Sequence, residues 1–201
     1  VDAQEHTYLT LGKASNGFFK DKGSKFYGYA FNVATKENVE EKLASIAKEH
    51  PKARHICYAY RLGLTADNFR TNDDGEPSGT AGKPILRQID SNNLTDTLIA
   101  VVRYFGGTLL GTSGLINAFK TTSAEAIENN NIISKPIEKT LTLNFTYAIM
   151  PQVMNFVKSQ PVKILNQTFE TNCSLIVSVN TINYDSFVSQ LNKIENLEIL
   201  P

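Results

Sequence analysis

Apolar residues Leu141, Leu143, Phe145 and Tyr147 alternate with Thr140, Thr142, Asn144 and Thr146, a period of two that predicts a strand with one buried face and one wet face. Pro151 then stands where a first helical turn tolerates it, ahead of the apolar Val153, Met154, Phe156 and Val157. Strand-like runs follow at 162–169 and 175–181. Asn183 or Asp185 is placed to cap a second short helix whose stripe is Phe187, Val188 and Leu191, and residues 197–200 make a last strand. The order βαββαβ predicts a ferredoxin-like split sandwich, one sheet covered on one face by two helices.

Upstream the texture differs. Strands are expected at 7–11, around Phe18 and Phe19, and over 26–33, where Tyr27, Tyr29, Phe31 and Val33 share a face. Thr35 is a candidate N-cap, Glu37, Glu40 and Glu41 suit the positive end of the helix after it, and Val39, Leu43, Ile46 and Ala47 form its buried stripe. Residues 54–62 and 97–105 read as further strands, and Leu115, Ile116, Phe119, Ala126 and Ile127 mark a long helix beginning near Leu115. Asn129, Asn130 and Asn131, with Pro136 soon after, close that helix as a domain boundary would. The fold class is therefore α+β, with two domains at 1–134 and 139–201.

Composition narrows the function classes. The chain has 201 residues, 41% hydrophobic and 20% charged, which excludes disorder and collagen. Twenty basic residues balance twenty acidic ones, so any nucleic-acid site must be a local patch. Sixteen of each sign precede Lys139 and four of each lie from Lys139 onward, which places chemistry in the first domain. No run approaches the roughly 18 apolar residues of a membrane span, and the opening Val1 to His6 lacks a basic stretch followed by an apolar one, so the expected address is the cytoplasm, with no membrane partner. Cys57 and Cys173 fit neither a disulfide framework nor a metal clip and read as buried thiols. No spacing of His, Cys and acids suits zinc, and no metal or cofactor is expected.

Three polar segments ask for explanation. In the run from Asn72 to Pro84, Asp73, Asp74 and Glu76 offer hard oxygen ligands, while Ser78, Gly79 and Gly82 lie where backbone N–H groups meet an anion at a helix start; the alternative is a solvated surface loop. In the second, Arg103 leads into Gly106, Gly107, Gly111 and Gly114, four glycines between a strand and a helix. They permit close approach of a phosphate or of another backbone, with Thr112 and Ser113 as hydroxyl donors and Lys120 two turns further on; the alternative is a tight packing turn. The third, Lys20-Asp21-Lys22-Gly23-Ser24-Lys25, joins two strands and is either a phosphate-facing patch or a solvated hairpin. His55, Cys57, Ala59 and Arg61 share a strand face, which reads as structural rather than as a nucleophile and base. Neither a Walker A loop nor a G-x-G-x-x-G fingerprint is present.

Taken together, Lys22-Gly23-Ser24-Lys25-Phe26, Arg54-His55-Ile56-Cys57-Tyr58-Ala59-Tyr60, the run Asp73 to Pro84 and Val101-Val102-Arg103-Tyr104-Phe105-Gly106-Gly107 with Leu110-Gly111 strongly resemble the IMPACT family, in its bacterial YigZ-like form. The resemblance covers the whole chain and implies an IMPACT domain followed by a small ferredoxin-like domain (DUF1949). It implies that the first has the fold of ribosomal protein S5 domain 2 and that the second resembles domain V of elongation factor G. It also implies a link to translation, since eukaryotic relatives regulate the kinase that responds to amino-acid starvation by competing for its ribosome-associated activator. Those relatives carry an additional RWD domain for which nothing before Thr7 leaves room, so regulation of that kinase is not carried over.

Two functions are compatible with these residues. One is a non-enzymatic translation-associated protein that binds structured RNA, a ribosomal surface or a protein partner in translation, with Lys22, Lys25, Arg103 and Lys120 on phosphates and Ser24 and the 106–114 loop alongside. The other is an enzyme acting on a small phosphorylated molecule, with Mg²⁺ on the acidic loop and the anion on the glycine loop, which requires the two loops to converge. The sequence assigns no catalytic residue and no oligomeric state.

Overall fold

A computed structural model describes residues 6–65, 67–170 and 172–201; Val1 to Glu5, read above for a leader, lie outside the described residues. The chain divides into a unit of Tyr8–Lys135 and a unit of Pro136–Pro201, the latter joined by His6 and Thr7.

In the first unit β1 (Thr7–Leu11), β2 (Ser15–Asp21), β3 (Ser24–Asn32), α1 (Lys36–Glu49), β4 (His55–Arg61), β5 (Phe69–Asn72), α2 (Gly82–Ser91), β6 (Thr97–Tyr104), α3 (Gly111–Glu128) and β7 (Ile132–Pro136) follow one another. Five strands make one sheet in the order β2-β3-β6-β4-β5, and β1 pairs with β7 separately. Every neighbouring pair in the five-stranded sheet is antiparallel. The central strand β6 is buried along nearly its whole length, because both faces of the sheet are covered. Ile99 and Val101 point with Phe26, Ala30, Cys57 and Ala59 into a core shared with Ile85 and Ile89 of α2 and Leu115, Ala118 and Phe119 of α3. Ala100 and Val102 face the other way, against Tyr29 of β3 and Ile46 of α1. Each of the larger side chains contributes roughly 1.5–3 kcal/mol by leaving water.

Local signals place most of these elements. Thr35 caps α1, its hydroxyl accepting the Asn38 N–H, and Val39 and Ile46 are buried with Leu43 beside them, whereas Ala47 is exposed and does not belong to the stripe. Lys22 and Gly23 both have positive φ between the paired Asp21 and Ser24, the backbone of a two-residue hairpin turn that follows the right-handed twist of its strands. Helix α3 starts at Gly111, earlier than its apolar stripe suggests, so Thr112, Ser113 and Gly114 occupy its first turn.

The second unit runs β8 (Glu138–Thr146), α4 (Met150–Lys158), β9 (Val162–Phe169), β10 (Asn172–Asn180), α5 (Thr181–Leu191) and β11 (Glu198–Leu200). Its strand order β11-β8-β10-β9 is that of a ferredoxin-like sheet. Leu141, Leu143 and Phe145 meet Leu175, Val177, Val153, Val157, Phe187 and Leu191 in one core, as the alternation requires. The cap of α5 is Asn180, whose side chain accepts the Ile182 N–H at 3.0 Å, rather than Asn183 or Asp185, which lie within the helix. Tyr147 leaves the strand for a short 3-10 turn.

Candidate functional site

Topology brings the three polar segments of the first unit to one end of the sheet. Strand β6 enters between β3 and β4, so Arg103 stands opposite Phe26 on one side and His55 on the other, and Tyr104 stands opposite Lys25. At that end β2 finishes and β3 starts, with Lys20 directly across from Lys25. Like charges in that position repel, yet the sheet keeps them there beside Lys22 in the turn.

The acidic loop does not present its carboxylates outward. Asp73 accepts N–H bonds from Gly79 at 2.8 Å, Ala81 at 3.0 Å and Gly82 at 2.8 Å, so it caps the start of α2 and occupies the donors read above as an anion cradle. Asp74 accepts the Ile56 N–H at 2.6 Å, and its carbonyl takes the Nδ1 proton of His55 at 2.6 Å. Arg103 Nη1 donates to both oxygens of Glu76, at 2.6 and 2.7 Å. The loop read as surface is thus partly core: Glu76, Thr80 and Ala81 are buried, although Ser78 is exposed. Among the described residues no cluster of His, Cys and acids suited to a metal ion occurs, and these carboxylates are engaged elsewhere. Cys57 donates to the Asp73 carbonyl, and burial first, then the charges of Glu76, Asp74 and Asp73, push its thiol pKa up, so it remains a protonated, unreactive thiol.

Burial would raise the Asp73 pKa, but the N–H groups of Gly79, Gly82 and Ala81, with the charge of Lys83, outweigh it and hold the carboxyl below its ordinary value. A depressed folded-state pKa stabilises the fold above the unfolded value of about 3.9, and that contribution disappears as pH falls through the folded one. Asp73→Asn is therefore expected to be less stable than the parent near neutral pH, with the gap closing below about pH 4. Urea unfolding of both proteins across that range checks it; a gap that stays constant refutes the assignment.

The glycine segment resolves as packing. A Cβ on Gly106 would stand 1.9 Å from the Gly23 carbonyl carbon and 2.1 Å from the Ser24 nitrogen, so the backbone that approaches it is the hairpin turn. Ser24 is buried, and its hydroxyl accepts the Gly106 N–H at 3.1 Å; it is a bracket for this turn, not an outward-facing donor. Gly107 and Gly111 have positive φ and open surroundings. Thr112 and Ser113 are exposed in a first turn with no side-chain cap. Lys120 lies nine residues beyond Gly111, about 13 Å along the helix axis, and does not share a small ligand with that turn.

What the convergence builds is a basic cavity of about 470 Å³ lined by Lys52, Arg54, His55, Arg103, Tyr104 and Phe105. Arg103 forms a buried wall rather than a free arm. Its guanidinium lies 5.6 Å from the Phe26 ring centre and 5.6 Å from that of Phe105, and its Nε is a buried donor without a hydrogen-bond partner. Glu76 offsets its charge, so the outward positive potential comes from Lys52 and Arg54, which are exposed and form no ion pair among the described residues. Tyr104 is held by a chain of aligned hydroxyls: it pairs with His50 Nδ1 at 3.0 Å, His50 Nε2 with the Tyr29 oxygen at 2.5 Å, and Tyr29 donates to Glu49 at 2.7 Å. Burial and then that Glu49 bond push the Tyr29 phenol pKa up, so Tyr29 keeps the proton it donates. Sequence reasoning assigned no contact to Lys52, Arg54 or Phe105, although Arg54 and Phe105 lie in the motifs that carry the resemblance. The signal was a basic pair just before a strand, but only the insertion of β6 beside that strand brings the pair to Arg103.

Comparison with known proteins shows the family of the chain. Residues 22–127 match the family model of the Impact N-terminal domain. A Haemophilus influenzae protein named as an IMPACT family member is 35% identical over 175 residues, covering 86% of this chain and 84% of its own. The Escherichia coli IMPACT family member YigZ is 31% identical over 172 residues, covering 85% of this chain and 84% of its own. A crystal structure of a hypothetical protein superposes with a TM-score of 0.81 at 28% identity, covering 97% of each chain.

Proposed function

The chain belongs to the IMPACT family, and from that premise we propose that it is a translation-associated regulatory protein of the cytoplasm that binds RNA through phosphate contacts at the basic end of its five-stranded sheet. In this reading residues 1–134 are the IMPACT domain carrying the site and residues 139–201 are a separate ferredoxin-like module. The observation that carries it is the cavity lined by Lys52, Arg54, His55 and Arg103 with no carboxylate in its lining. Lys25, paired across from Tyr104, and Lys20 and Lys22 extend the charge along the same end. A chain of net charge zero that gathers five cationic side chains there, besides the compensated Arg103, has a local patch of the kind a neutral RNA-binding protein needs.

Phosphate binding releases counterions, so affinity falls with salt in proportion to the contacts made. Lys52→Ala with Arg54→Ala is expected to lower the slope of log affinity against log salt by roughly 1.5, for RNA with single-stranded character. The same pair of changes at Lys22 and Lys25 should lower it further, and Lys193→Ala, in the other unit, should leave it alone. Titration into ribosomal subunits and a structured RNA at several salt concentrations makes the measurement. Binding that ignores both salt and the Lys52 and Arg54 changes would sink the proposal.

A further inference from the structure

We propose that the basic cavity takes an unpaired nucleotide, its phosphate against Lys52 and Arg54 and its base stacked on Phe105; this rests on the RNA reading above and narrows it to RNA with splayed-out bases.

Phe105 is 59% exposed, a large apolar ring at the mouth of a charged cavity. One side of the ring is held near the Arg103 guanidinium, and Glu76 fixes that guanidinium from behind with two hydrogen bonds. A ring backed by a cation on one side and more than half exposed overall has the makings of a stacking platform. A cavity of about 470 Å³ falls within the roughly 300–1,000 Å³ of small-ligand sites. A duplex keeps its base faces covered by its own stacking and presents only backbone and groove edges, so it engages the lysines but has no face for Phe105. Single-stranded segments supply both, a phosphate for Lys52 and Arg54 and a π-face for the ring.

The chain contains no tryptophan, so Phe105→Trp introduces a single tryptophan at the platform, excited selectively near the red edge of its absorption, while keeping an aromatic ring over Arg103. The parent protein, Phe105→Ala and Phe105→Trp are titrated with oligouridine, with a blunt RNA duplex and with inorganic tripolyphosphate, and thermal unfolding confirms that each variant is folded. Phe105→Ala is expected to weaken oligouridine binding roughly tenfold with its salt slope unchanged, and to leave duplex binding as it was. Phe105→Trp should retain affinity, and its emission should be quenched by oligouridine but not by tripolyphosphate. Unchanged oligouridine affinity in Phe105→Ala, equal losses for duplex and single strand, or tryptophan emission indifferent to oligouridine would each overturn the stacking inference while salt-dependent RNA binding still stood. If the parent protein binds neither RNA, the broader reading falls as well.

Discussion

Glu76→Ala is expected to lower the unfolding free energy by about 3–5 kcal/mol, a large share of what a domain of this size has. The side chains of Glu76 and Arg103 are only 2% and 9% exposed, so each charge depends on the other for compensation. Removing the carboxylate leaves a buried guanidinium whose Nε already lacks a partner and whose Nη1 then loses two bonds. Removing both charges is a different matter: Glu76→Leu with Arg103→Met exchanges an ion pair for packing and should fall within about 1–2 kcal/mol of the parent, because the desolvation cost of the two ions goes too. Urea denaturation of the two single variants and the double one forms a cycle that isolates the pair. A cost for Glu76→Ala below about 1 kcal/mol would place the pair among surface ion pairs and contradict its burial. The functional readout separates as well. The double variant should remain folded yet leave Phe105 without its guanidinium support.

The element order of the second unit was legible in the sequence, and so were the long strands and two of the helices of the first, because the alternation over 141–146 and the capped amphipathic helix after Thr35 are local signals. What each polar loop does was not legible. Asp73 and Glu76 look alike in sequence as exposed hard ligands, but Asp73 faces backbone donors six to nine residues ahead, whereas Glu76 meets an arginine 27 residues away. Only the register of β6 decides which carboxylate is buried. Arg103 was read as a phosphate contact for the same reason, since nothing near it in the chain announces Glu76. The short strands β5 and β7 escaped because four or five residues of mixed polarity carry no period, and they form by pairing with β4 and β1. The start of α3 was placed late because its first turn is glycine, threonine and serine, while its stripe begins at Leu115.

Gly106→Ala and Gly107→Ala, one peptide apart, should differ sharply. Gly107 has φ of 89° with nothing near its missing Cβ, so an alanine there meets only backbone strain, about 1 kcal/mol. At Gly106 the added methyl would meet the Gly23 carbonyl carbon at 1.9 Å and the Ser24 nitrogen at 2.1 Å, and both are backbone. No rotamer change relieves that overlap. The turn it strikes is itself constrained, with Lys22 and Gly23 both at positive φ and Ser24 bonded to the Gly106 N–H. Either the hairpin or the strand-to-helix loop must move, at a cost of about 3 kcal/mol, the upper part of the usual range for overpacking. The displacement has a direction that matters for binding: it shifts Lys22 and Lys25 relative to Phe105, whereas Lys52 and Arg54 lie on another connection. Gly106→Ala should therefore lose stability and weaken RNA binding together, while Gly107→Ala loses about 1 kcal/mol and binds as before. Equal stability losses in the two variants would mean that the hairpin yields freely and that the close contact does not hold the basic patch in place.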